Sequence, residues 1–208
     1  PESEHENLVK GLISEQAQVN KYLSALDQLS QVKLPQADDG SNRLLLPPLL
    51  PTETNISVKS LIEPLIERAK ARANLQGRKW FSPSEWPLWM ESRSISEGVI
   101  AEIVANLLEN AFRYSPPQSS IGIELVENGI CIWDEGIPIN EREREKIFEK
   151  GFRGESGSKM SGSGIGLALA RDLARQLGGD LKLVINPSKF KNSLPDSGNA
   201  FIFNLEPK

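Results

Sequence analysis

Residues 102–115 read EIVANLLENAFRYS, and they sit in a run that predicts one helix over 94–114, with Ser94 or Ser96 as the cap and Pro116 and Pro117 as the stop. Val99, Ile100, Ile103, Val104, Leu107, Leu108, Ala111 and Phe112 make this helix apolar nearly all round. A single narrow polar stripe interrupts that surface. Glu102, Asn106, Asn110 and Arg113 follow one another in steps of four, four and three, which puts them on one face. Carboxamides surrounded by apolar surface cost a few kcal/mol (~1–3) unless a polar group satisfies them.

Downstream of that helix, 121–126 and 130–133 are β-rich runs joined by Glu127-Asn128-Gly129, the pattern of a hairpin. Asn140 is placed to cap a short charged helix, EREREKIF. A helix follows over 165–177, terminated by Gly178 and Gly179. Two strands, 180–185 and 200–205, close the chain around a polar loop. Upstream, 57–75 carries a helical spacing of Leu61, Ile62, Leu65, Ile66, Ala69 and Ala73, with Pro64 tolerable near its first turn only. A short strand is expected around 88–91. Helices and mainly antiparallel strands in this order predict an α+β two-layer sandwich, a mixed, mostly antiparallel sheet with helices on one face.

Before this domain, 3–33 has Leu8, Leu12, Val19, Leu23, Leu26 and Leu29 at helical steps, a long amphipathic helix that needs a partner helix to bury its stripe. Residues 34–55 hold four prolines and a DDG turn, and break regular structure. The expected organisation is therefore a helix over 1–33, a proline-rich linker over 34–55 and a globular domain over 56–208.

The chain has 208 residues and a formal charge of -4, which gives no overall field to draw in nucleic acid or an acidic membrane. One cysteine, Cys131, excludes an internal disulfide and cysteine-based zinc sites, and one histidine, His5, excludes histidine clusters. No stretch of about 18 apolar residues occurs. The opening on Pro1, without a signal-like stretch, reads as part of a longer, cytoplasmic polypeptide whose membrane anchor, where it has one, lies elsewhere.

Three groupings carry chemistry. On the stripe, amide and carboxylate oxygens suit a hard cation such as Mg2+ and Arg113 suits a phosphate, although a stripe of this kind also forms when it merely faces water or caps a loop. WDEGIPI, 133–139, ends a strand on Asp134, a carboxylate able to accept from an exocyclic amine, while Gly136 lets a ring approach the backbone; a plain turn has the same letters. GSGIGL, 162–167, precedes a helix and can present successive amides to an anion. It matches neither the P-loop nor the dinucleotide pattern. GFRGESGSKM before it adds Arg153 and Lys159 to a glycine-rich segment suited to covering phosphates.

In order, EIVANLLENAFRYS, WDEGIPI, IFEKGFRG and GSGIGL resemble the N, G1, F and G2 boxes of the sensor histidine kinase catalytic domain, within the wider ATPase family shared with gyrase, Hsp90 and MutL. The resemblance covers about 56–206 and implies the Bergerat ATP-binding fold. By position it implies that Asn106 and Asn110, with Glu102 as a further candidate, hold Mg2+ and the triphosphate of ATP, and that Arg113 and Tyr114 lie beside phosphate and ribose. It makes Asp134 the adenine-reading carboxylate with Gly136 beside it, and Phe148, Phe152 and Arg153 the F box. Gly162, Ser163, Gly164, Ile165, Gly166 and Leu167 become the loop under the phosphates, with Lys159 nearby. Two positions depart from the pattern: Pro138 replaces the second G1 glycine, and Gly151 stands where an aromatic residue is common.

A histidine kinase of this kind implies transfer of the ATP γ-phosphoryl to a histidine and then to an aspartate on the receiver domain of a response regulator, with the whole protein a homodimer. His5-Glu6 lacks the following Arg and Pro of the acceptor motif, and 14–34 resembles the second helix of the dimerisation hairpin, so the acceptor is expected outside this sequence. Two other readings remain: an ATP-hydrolysing conformational machine of the gyrase or MutL type, with Glu102 as candidate base, and a nucleotide-binding regulator without catalysis.

Overall fold

The computed structural model describes residues 57–88, 90, 97–154 and 163–204. The chain divides into two compact units, Leu50–Met160 with Gly164–Lys208 and Pro1–Leu49 with Ser161–Ser163. Apart from Ser163, every described residue belongs to the first. The expected helix over 3–33, the linker over 34–55, the caps Ser94 and Ser96, His5, Lys159 and Gly162 lie outside the described residues.

Helix α1, Val58–Leu75, starts at Ser57, whose hydroxyl accepts from the Ser60 amide at 3.2 Å. Its buried residues Val58, Ile62, Ile66, Ala69 and Ala73 follow the helical repeat. Pro64 stands at the seventh helical position, past the first turn where the sequence reading tolerated it, yet the helix runs through. Its ring faces solvent while Ile62 and Ile66 on either side are buried. At about 1.5–3 kcal/mol per large apolar side chain, that burial outweighs the ~3 kcal/mol cost of a proline inside a helix.

The sheet has five strands in the order β1-β2-β3-β5-β4: β1 Lys79–Phe81, β2 Ser120–Val126, β3 Gly129–Asp134, β4 Asp180–Val184 and β5 Asn199–Asn204. Only β1 and β2 are parallel; the other neighbours are antiparallel. The strand expected at 88–91 is absent from its place. Leu88 and Met90 are helical, 81% and 0% exposed, and a half-buried strand would give two residues so spaced the same face. The edge strand is instead Lys79–Phe81, whose three residues are too few to show an alternating pattern in the sequence.

Helix α2, Glu97–Tyr114, packs on α1, on β3 and on α3, Gly166–Gln176, which also packs on β4. The core between the layers contains Ile103, Leu107, Ile121, Ile123, Ile130, Ile132, Leu181 and Phe203. On the opposite face Cys131, Trp133, Ala200 and Ile202 form a second cluster closed by Leu194. Leu194 comes from the loop after β4, which also carries the short helix α4, Pro187–Phe190, and Lys191, paired with Glu124 of β2. The helices thus cover one face, as expected, and a loop protects part of the other. Residues 141–148 form two 3-10 turns, Glu141–Glu143 and Lys146–Phe148, where the sequence predicted one short helix. Asn140 caps the first, accepting from the Arg142 amide at 3.0 Å. Helix α3 ends at Gly178, φ +79°, where the Gly179 amide donates to Ala174 O. No helix among the described residues is long and apolar enough to cross a membrane.

Candidate functional site

The C-terminal half of α2, the end of β3, the second 3-10 turn, the start of α3 and the start of β5 surround one pocket. Asn110 and Tyr114 enter it from α2, Asp134 from β3, Phe152 and Arg153 from the segment after the 3-10 turn, and Leu167 from the first turn of α3. Six side chains expected from four separate stretches of sequence therefore share one cavity. Ile137, Ile139, Ile147 and Phe201 supply an apolar wall, with Glu143, Gly154 and Asn199 completing the lining.

Asp134 is 3% exposed. Its Oδ1 accepts from the Gly136 amide at 2.7 Å and from Asn199 Nδ2 at 3.3 Å. Burial pushes its carboxyl up from the model-compound value of 3.8 to about 6, against the pull of those two hydrogen bonds and of the Arg78 charge. Both of these donors use Oδ1. Gly136 is required behind it, because a Cβ at that position would overlap Asp134 Oδ1 and stand 2.8 Å from the Tyr114 carbonyl oxygen. Gly136 therefore shapes the wall without lining it.

Asn106 lies one turn before Asn110 and is buried. Its Nδ2 donates to the Glu102 carbonyl at 2.9 Å and to Glu102 Oε1 at 3.0 Å. That fixes the carboxamide so that Oδ1 faces the start of α3, 3.2 Å from where a Cβ on Gly166 would stand. An amide oxygen held in this way, next to Asn110, is a donor suited to a hard cation such as Mg2+. No group of three His, Cys, Asp or Glu side chains that could hold a metal ion occurs among the described residues.

The glycine loop enters α3 through Gly164, whose φ of +69° puts it in the left-handed region. Its carbonyl accepts from the Gly151 amide at 3.1 Å. A side chain at Gly164 would also crowd the Phe152 carbonyl at 2.8 Å. The residue at the N-cap of α3 is Ile165, which offers no side-chain acceptor, so the first amides of the helix receive no side-chain cap. Gly166 and Ile165 adjoin the pocket without lining it; Ser163 is exposed.

Four further expected side chains, Glu102, Asn106, Arg113 and Phe148, do not line the pocket. Arg113 forms an ion pair with Glu109 at 3.6 Å and does not line the pocket. Phe148 also stays off the wall: its ring meets Phe201 edge-on, centroids 6.4 Å apart, beneath the guanidinium of Arg171. Sequence reasoning missed Asn199, which joins the site because β3 and β5 pair Asp134 with Asn199, a register set 65 residues away in sequence. Ile137 and Ile139 were within view in WDEGIPI, three residues and one residue before Asn140, but nothing there marked them as pocket walls.

Comparison with known proteins bears on this pocket. A family model described as "Histidine kinase-, DNA gyrase B-, and HSP90-like ATPase" matches residues 96–208. The chain is 38% identical over 128 residues to the sensor histidine kinase Hik2 of Thermosynechococcus vestitus, covering 58% of this chain and 32% of that protein. It is 33% identical over 117 residues to the swarming motility regulation sensor protein RssA of Serratia marcescens, covering 54% and 23%. The chain thus spans a third or less of the length of these curated relatives. Among solved structures, the mycobacterial sensor histidine kinase MprB superposes with a TM-score of 0.54 at 23% identity, over 71% of this chain and 93% of that one. The cytoplasmic segment of the histidine kinase QseC does so with a TM-score of 0.53 at 16% identity, over 92% and 95%. At these identities the structural likeness establishes the α+β fold.

Proposed function

The chain belongs to the histidine kinase-, DNA gyrase B- and HSP90-like ATPase family, and from that premise we propose that it is the ATP-binding catalytic region of a sensor histidine kinase in a two-component system. The observation that carries this reading is the convergence of Asn110, Tyr114, Asp134 and Leu167 on one pocket whose far end meets the start of α3. Asp134 would accept from the adenine amine through the carboxylate oxygen not engaged by Gly136 and Asn199, with the ring between Ile137, Ile139 and Phe201. The amides at the start of α3, together with Gly162, Ser163, Gly164, Ile165, Gly166 and Leu167, would take the phosphates. Tyr114, Phe152, Arg153, Lys159 and Arg113 complete the proposed nucleotide site.

Asn106 and Asn110, with Glu102 behind them, are the residues proposed to hold Mg2+, which when bound would offset charge on the phosphate oxygens. The chain's own part is positioning: a fixed carboxylate for the base, fixed amides for the phosphates, and a γ-phosphoryl group turned toward an incoming histidine. The proposed sequence is transfer of that group from ATP to a histidine imidazole outside this sequence, with ADP as leaving group. Passage to an aspartate on a response-regulator receiver domain follows. Homodimerisation of the whole protein and a cytoplasmic site of action belong to the same proposal.

The test is titration of ATP with Mg2+ into the chain and its Asp134→Ala and Asn110→Ala variants. Both substitutions should lower affinity by more than tenfold (~1.4 kcal/mol) in chains that melt cooperatively. Unchanged affinity in both would sink the reading. Steady ATP hydrolysis by the chain alone, without phosphohistidine in the intact protein, would favour the gyrase or MutL type instead.

A further inference from the structure

Phe148 stands off the pocket wall, and Arg171 lies over its ring. Arg171, on the second turn of α3, is only 12% exposed. Its guanidinium carbon stands 4.4 Å from the centre of the Phe148 ring. The same side chain donates from Nη1 to Glu145 Oε2 at 2.7 Å and from Nε to Asp180 Oδ1 at 3.1 Å. One planar cation thus joins three elements: the segment before the second 3-10 turn, the start of β4, and the helix that begins beside the glycine loop.

A three-residue 3-10 turn has too few hydrogen bonds to keep its own shape. Lys146–Phe148 is placed by the side chains around it, and Phe148 sits between the Arg171 plane and the edge of Phe201. Both neighbours of that contact matter to the pocket. Ile147, the adjacent residue, and Phe201 are wall residues, and Phe152 and Arg153 follow four and five positions later.

We infer that Arg171 is a positioning residue for the nucleotide site: through its stack on Phe148 it sets the apolar wall formed by Ile147, Phe201 and Phe152. The inference rests on the proposed ATP-binding function. In the proposed site this wall would meet the base end of the ligand, so the effect should be the same for ADP and ATP. Charge at position 171 alone is insufficient, since a lysine keeps the pairs with Glu145 and Asp180 but has no flat face to lay on the ring.

The experiment measures Kd for ATP and ADP, with Mg2+, at a temperature where each variant is fully folded by melting analysis. Arg171→Gln should weaken both by about tenfold, and Arg171→Lys by an intermediate factor. Arg175→Gln is the control. Arg175 shares Asp180 at 3.1 Å and is not seen over the Phe148 ring, so its loss should leave Kd within about twofold of the parent while costing a comparable ionic contact. Phe148→Leu should reproduce the Arg171→Gln effect and stands in for it where that variant fails to fold. Parent-like Kd values for Arg171→Gln or, in its place, Phe148→Leu would overturn the inference and leave the ATP site standing. Equal weakening by Arg171→Gln and Arg175→Gln would overturn it too, as a general loss of ion pairing. Absence of ATP binding by the parent chain would remove the functional reading and this inference with it.

Discussion

Asn199 Nδ2 lies 3.3 Å from Asp134 Oδ1, a contact between residues directly opposite one another on β5 and β3. The same Asn199 accepts from the Ile139 amide at 2.8 Å and donates to the Ile137 carbonyl at 3.1 Å. One carboxamide, 4% exposed, therefore fixes both the buried carboxylate and the turn that carries two wall residues. Asn199→Ala leaves the Ile139 amide and the Ile137 carbonyl without this partner, and stability should fall by about 1–3 kcal/mol. ATP affinity should fall with it, because the orientation of Asp134 is no longer imposed. Denaturant unfolding and nucleotide titration check the two effects; a variant with parent stability and parent affinity contradicts this role.

The acidity of Asp134 gives a pH dependence of definite sign. Its carboxyl is raised from 3.8 to about 6 in the folded chain, chiefly by burial. Between those values the folded state keeps a proton that the unfolded state releases, so stability falls as pH rises from about 4 to about 6 and levels off above. Two pKa units correspond to about 3 kcal/mol for this one group. Asp134→Asn removes the titration, and the difference in unfolding free energy between parent and variant should slope across that window. Adenine recognition has the opposite sign, since the amine needs the ionised acceptor, and ATP binding should tighten as pH rises through 6. Parallel stability curves for parent and variant from pH 4 to 7 would show that Asp134 does not titrate there.

What the sequence disclosed and what it withheld divide along the range of the interactions. The helices around 58–75, 97–114 and 166–176 and the hairpin at 120–134 were legible because their apolar periodicity and turn residues are local. Asp134, Asn110 and Leu167 were legible because each falls in a short motif. Asn199 was hidden because its role follows from the β3–β5 register, and Phe201 because a strand's alternation shows which face a residue takes, not what lies above it. Phe148 was assigned to the pocket from its motif. It stacks beneath Arg171 instead of lining the pocket, a contact between residues 23 positions apart that has no local signature. The strand was misplaced for a related reason: Lys79–Phe81 gains its identity from pairing with Ser120–Gly122, not from its own three residues.

Pro64 tests how much tertiary burial is being asked to offset in α1. At the seventh position of the helix it has no N–H for the Ser60 carbonyl, and its ring crowds that carbonyl. The residue is exposed, so replacement disturbs no core contact. Alanine restores the missing donor and has the best intrinsic helix propensity, a gain of up to about 3 kcal/mol. Against it works the greater freedom of the unfolded chain once proline is gone, about 0.4–1 kcal/mol. Pro64→Ala should therefore stabilise the domain by roughly 1–2 kcal/mol, a rise in Tm of about 2–8 °C. It should leave nucleotide affinity unchanged, because α1 contributes no residue to the pocket. An unchanged or lowered Tm would mean that the helix already relieves the proline by bending, and that the burial of Ile62 and Ile66 depends on that bend.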